Sequence, residues 1–114
     1  MSEQINDYID VAAVSELPAP GCRAYSVDGR KIVIVRTAAG VYALDNACPH
    51  RGGPLAEGDV IGSEIVCPWH LWGFDVATGI CGGNPDVRVV THDVRLAGDR
   101  LLVKLTPQPQ ESNP

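Results

Sequence analysis

Two short stretches of this 114-residue chain carry metal donors at ligand spacing. The first is Cys48-Pro49-His50-Arg51-Gly52-Gly53-Pro54-Leu55, and the second is Cys67-Pro68-Trp69-His70-Leu71-Trp72-Gly73-Phe74-Asp75. Each offers one thiolate and one imidazole: Cys-x-His, a gap of sixteen residues, then Cys-x-x-His. Two facing loops of this kind would present two sulfurs on one side and two nitrogens on the other. That donor set suits a binuclear iron–sulfur cluster with unlike ends, His replacing Cys on one iron.

A Cys₂His₂ zinc site is the competing reading, because tetrahedral zinc accepts the same ligands. The neighbours decide against it. Gly52, Gly53, Pro54, Pro68 and Gly73 permit tight loops whose backbone N–H groups approach bridging sulfides closely. Zinc brings no bare sulfide that needs such donors. The other chemistry-bearing residues have plainer readings. His92 reads as a surface or internally satisfied strand histidine. Cys22 and Cys81 lie outside both boxes and are expected to be free buried thiols, with a mutual disulfide as the second choice. Trp69 and Trp72 flank His70, where they either form an apolar docking rim or pack around the loop. Arg51 reads as solvated, and Asp75 as part of the turn into Ala77-Thr78-Gly79.

The elements that must position these loops read as β throughout. Arg23 to Val27 and Lys31 to Thr37 flank Asp28-Gly29, a two-residue hairpin signal. Val41 to Leu44, a β-branched run within Val60 to Cys67, Leu71 to Val76, Val87 to Val94 and Leu101 to Leu105 follow, the last two separated by Ala97-Gly98-Asp99. Val11 to Leu17 is the one place for a helical turn or two. Short strands divided by Gly and Pro imply an all-β, antiparallel sandwich or barrel. Residues 1–105 are expected to form one domain, and 106–114, with three prolines, a disordered tail.

A net charge of −5 argues against a nucleic-acid surface, which needs clustered Lys and Arg. The opening Met1 to Tyr8 holds acidic and polar residues where a signal peptide needs a positive charge and then an apolar run. Apolar runs such as Ile32 to Val35 are far below the roughly 20 residues that span a bilayer. A cytoplasmic protein is expected, in a reducing compartment where two disulfides among the four cysteines are disfavoured and ligation is the better reading for at least two of them.

The two boxes resemble those of Rieske ferredoxins and of the Rieske-like small subunits of assimilatory nitrite reductases. The resemblance runs from the first strand segment to Leu105. It implies a Rieske iron–sulfur fold of three antiparallel sheets with the cluster loops at one tip. It also implies that Cys48 and Cys67 bind one iron of a [2Fe–2S] cluster while His50 and His70 bind the other, more exposed one. Gly82-Gly83-Asn84-Pro85 stands where the family has a third, proline-containing covering loop. High-potential members carry an extra Cys in each box, joined in a disulfide. Gly53 and Trp69 occupy those places here. Those members also have Ser and Tyr hydroxyls where this chain has Trp72 and Phe74, neither of which supplies that donor. A centre toward the negative end of the Rieske range is expected. Its potential should fall as pH rises through the alkaline range, because the metal acidifies exposed imidazole ligands.

Function narrows by elimination. An oxygenase needs a mononuclear iron held by two His and a carboxylate. Beyond the boxes only His92 remains. No dinucleotide fingerprint is present, so hydride is not accepted directly. The leading expectation is a soluble ferredoxin carrying single electrons from a flavin reductase to a terminal oxygenase. The alternatives are a nitrite reductase small subunit and a structural metal-binding module.

Overall fold

The computed structural model describes residues 8–47, 54–68 and 72–106. Nine strands account for most of these: β1 (Ile9–Ala13), β2 (Gly21–Val27), β3 (Arg30–Thr37), β4 (Gly40–Asp45), β5 (Asp59–Ile61), β6 (Glu64–Val66), β7 (Gly73–Asp75), β8 (Thr91–Ala97) and β9 (Arg100–Lys104). Every ladder is antiparallel. One set of strands runs β1-β9-β8-β4-β3-β2, and the other runs β5-β6-β7.

The larger set is two sheets sharing a strand. Thr91 and His92 of β8 pair with β4, whereas Asp93 to Ala97 pair with β9. The strand therefore passes from one sheet to the next without any residue serving both. With the β5-β6-β7 meander this makes the three antiparallel sheets that the resemblance implies.

Two apolar clusters hold the sheets together. Ile32 and Ile34 pack with Ala12, Leu17, Val27, Ala43, Leu101 and Val103. Val33 and Val35, on the opposite face of the same strand, pack with Leu44, Leu55, Ile65, Cys67, Phe74 and Cys81. Strand alternation thus feeds two cores from four consecutive apolar residues, which is why β3 shows no polar face. The β2–β3 hairpin turns at Asp28 (φ 52°) and Gly29 (φ 84°), the two left-handed residues that a tight Asp-Gly turn requires.

Several boundaries differ from expectation. Val11 to Leu17 is not helical over its length: β1 takes Ile9–Ala13, and only Val14–Glu16 forms a 3₁₀ turn. Pairing with β9 decides this, because β1 gains a ladder that local propensity does not show. The strand expected from Val87 begins only at Thr91. Residues 87–89 instead bond back to the loop after β7, through Cys81 N–H to the Val87 carbonyl and Val89 N–H to the Gly79 carbonyl. Thr106, assigned to the tail, donates its N–H to His92 Nδ1 at 3.0 Å. Residues 107–114 lie outside the described residues. No helix among the described residues is long and apolar enough to cross a membrane.

Candidate metal centre

Cys48, His50 and His70 lie outside the described residues, as do Arg51, Gly52, Gly53, Trp69 and Leu71. Cys67 is described, and so are the stems that carry all four candidate ligands. Residues 48–53 follow β4 in the chain, and the described residues on either side of them are joined by a bridge between Ala47 and Pro54, which makes these the first stem. A 3₁₀ turn, Leu55–Glu57, follows at once and leads into β5. Because β5 pairs with β6, the chain returns antiparallel and delivers Cys67 beside the first stem. The second loop is closed in turn by the Cys67 N–H donating to the Trp72 carbonyl at 2.8 Å.

The two stems touch at Gly58. A methyl group there would sit 1.7 Å from the Val66 carbonyl oxygen and 3.2 Å from Pro68 Cδ. Only a residue without Cβ lets the chains approach this closely. The third loop is tied to the same end. Gly82 N–H donates to the Gly73 carbonyl at 2.9 Å, and Phe74 bridges Cys81. Within it, Asn84 accepts the Val87 N–H at 2.9 Å, which closes the turn through Pro85. A cleft of about 320 Å³ lies between this loop and the second stem, lined by Trp72, Gly73, Cys81, Gly83 and Asn84.

Cys67 is fully buried with a free thiol, and it belongs to the apolar cluster that includes Leu55, Phe74 and Cys81. A buried sulfur at the junction of two loop stems, with a second Cys and two His on the loops themselves, is a soft, mixed donor set that fits a [2Fe–2S] group. Among the described residues no three His, Cys, Asp or Glu side chains gather around a cation position.

The remaining candidates resolve into supporting roles. His92 is satisfied internally: its side chain is fully buried, Nδ1 accepts the Thr106 N–H, and Nε2 meets Asp45 Oδ1 at 2.8 Å. An Nδ1 that accepts carries no proton, so in the neutral ring Nε2–H donates to Asp45. Both nitrogens are engaged, and the ring is not a ligand. Cys22 donates its thiol to the Ala56 carbonyl at 3.4 Å. Burial, with Asp59 adding to it, pushes that thiol up, so it stays protonated. Cys81 is buried and free. Phe74 is fully buried, and Trp72 packs half-buried against the same cluster, whereas Trp69, the other residue of the expected rim, lies outside the described residues. Asp75 Oδ1 accepts the Ala77 and Thr78 N–H groups, as a turn residue does.

Two residues escaped the sequence reading. Gly58 has no motif around it, and its partner Val66 emerges only when β5 pairs with β6. Asn46, next to Asp45, looks like an ordinary turn residue, although its place two before Cys48 was a usable signal.

Comparison with known proteins agrees with this geometry. A family model described as Rieske [2Fe-2S] domain matches residues 7–99. The ferredoxin component of the naphthalene 1,2-dioxygenase system of Pseudomonas aeruginosa is 31% identical over 100 residues, covering 87% of this chain and 96% of the relative. The solved ferredoxin of carbazole 1,9a-dioxygenase from Nocardioides aromaticivorans IC177 superposes with a TM-score of 0.80 at 35% identity, covering 87% of this chain and 98% of the other. A putative NADH-dependent nitrite reductase small subunit from Mycobacterium tuberculosis shares the fold, with a TM-score of 0.78 at 22% identity over 89% of this chain and 96% of the other. On the extent of the family match and the near full-length correspondence with ferredoxin components, the chain belongs to the Rieske [2Fe–2S] domain family, as an electron-transfer protein with a Rieske-type cluster rather than a catalytic subunit.

Proposed function

We propose that this protein is the ferredoxin of an oxygenase system, taking single electrons from a flavin-containing reductase and delivering them to a terminal oxygenase in the cytoplasm. Cys48 and Cys67 hold one iron, and His50 and His70 the other. The observation that carries the reading is the end-to-end correspondence with a ferredoxin component of a dioxygenase system, of which this chain covers 96%. When bound, the cluster supplies one-electron chemistry. The chain's contribution is to seat it. Cys67 places its donor in an apolar cluster, Gly58 lets the stems converge, and Trp72 and Phe74 bring packing in place of hydroxyl donors. Without those donors the reduced state gains less stabilisation, which keeps the potential toward the negative end, about −150 mV.

The test is reconstituted turnover. Purified holoprotein added to a flavin reductase and a Rieske oxygenase should restore substrate-dependent NADH consumption, and Cys67→Ser should abolish it together with the visible absorption of the cluster. Holoprotein that is fully reduced yet transfers nothing to the oxygenase would defeat the reading. So would a potential well above zero for its low-potential part. The likeness to nitrite reductase small subunits is one of fold, at 22% identity, and ranks second.

A further inference from the structure

We propose that Asn46 is a positioning residue for the first ligand loop, fixing the 3₁₀ turn that carries the outgoing stem through its side-chain amide. This rests on the assignment of Cys48 and His50 as ligands. Asn46 is only 8% exposed and stands two residues before Cys48. Its N–H donates to the Lys31 carbonyl at 3.1 Å, which anchors it to β3. Its carbonyl accepts the Leu55 N–H at 2.7 Å, and its Oδ1 accepts the Ala56 N–H at 2.8 Å. One residue thus gathers the incoming stem, the outgoing stem and the central strand.

The first N–H groups of any helical turn lack partners within it. A Ser, Thr, Asp or Asn at the N-cap ordinarily satisfies them. Here the N-cap is Pro54, which makes no side-chain cap. Asn46, across the loop, accepts both orphan donors instead. The Leu55 bond is part of the Ala47–Pro54 bridge and any residue at 46 would make it, but the Oδ1 bond to the Ala56 N–H is the side chain's own, and it sets the rotation of the turn. That rotation matters because Leu55 is fully buried in the cluster containing Cys67. A turn that swings about Pro54 moves the outgoing stem relative to Cys67. Asn46 therefore acts on the distance between the two halves of the ligand set without being a ligand.

The test compares anaerobic holoprotein of wild type, Asn46→Ala and Asn46→Asp, the last keeping an acceptor at the same reach. The readouts are the EPR g-values of the reduced protein and the rate of visible bleaching in chelator, beside the apparent Tm. Asn46→Ala should shift the g-values and lose the cluster about five- to tenfold faster, the scale of one buried hydrogen bond left unmade. Asn46→Asp should restore both. If Asn46→Ala fails to accumulate, Asn46→Ser, whose oxygen falls short, is read the same way. A lowered Tm with wild-type g-values and bleaching rate overturns the proposal, as does an Asp variant that behaves like Ala. Wild-type protein without a Rieske-type signal overturns the ligand assignment and the proposal together. A wild-type signal with insensitive Asn46 variants overturns the proposal alone.

Discussion

Asp45 stands three residues before Cys48 and shares one oxygen between two donors, His92 Nε2 at 2.8 Å and an Arg30 guanidinium nitrogen at 3.0 Å. Partial burial pushes its carboxyl up, but the His92 hydrogen bond and the Arg30 charge outweigh that and hold it below the ordinary carboxylate range. The unfolded chain therefore binds a proton at Asp45 more readily than the folded one. The resulting stability is complete above the unfolded value, about 3.9, and disappears as pH falls through the lower folded value. Asp45 is partly solvated, so the pair is worth about 1 kcal/mol, or about 4 °C in apparent Tm. Asp45→Asn should melt lower than wild type near neutrality, and the two curves should converge below about pH 4. Melting curves across pH check this. A gap that stays constant into acid would show that packing, and not the charge, accounts for the difference.

At the scale of elements, the close approach of the first stem to β6 is the contact on which loop convergence depends. Gly58→Ala places a methyl group 1.7 Å from the Val66 carbonyl, well inside any contact distance, so the stems must part. Overpacking of this kind costs about 1–3 kcal/mol, and the apparent Tm should drop by roughly 4–12 °C. Gly83→Ala is the control, since nothing lies within 4 Å of the added atom. It should change stability by less than about 0.5 kcal/mol. Equal melting of the two variants would refute the close-approach argument. The same contact shows where the sequence was legible. The Asp28-Gly29 hairpin and the apolar run of β3 are local patterns, readable because turn chemistry and strand alternation act within a few residues. The two donor boxes are equally local and pointed to the family, while three of their four donors lie outside the described residues. Strand β1 was hidden because Val11-Ala12-Ala13 has no alternation and gains its structure from β9, some ninety residues away. The run from Val87 reads as strand, yet its backbone bonds are spent on the turns around Gly79 and Cys81. Asn46 and Gly58 were missed for a related reason: each acts through a partner that only the folded chain brings near.

Taken whole, the molecule carries a net charge of −5 from 14 carboxylates and 9 Lys and Arg side chains. Glu57 and Asp86 are exposed on segments adjoining the candidate ligand boxes, Glu57 after the first and Asp86 directly after the loop of residues 82–85. A carrier that meets its acceptor by diffusion gains from such charge when the acceptor presents a basic face, and salt screens the gain over about 10 Å at 0.1 M. A subunit held permanently against a larger enzyme makes no repeated encounters, so its transfer rate has no such dependence. Stopped-flow oxidation of the reduced protein by a Rieske oxygenase should therefore slow about tenfold between low and high ionic strength. Glu57→Gln combined with Asp86→Asn should lower the low-salt rate while leaving the high-salt rate unchanged, because screening has already removed what those charges contribute. A first-order rate indifferent to both salt and protein concentration would instead mark a standing complex, and the diffusing-carrier reading would give way to the fixed-subunit one.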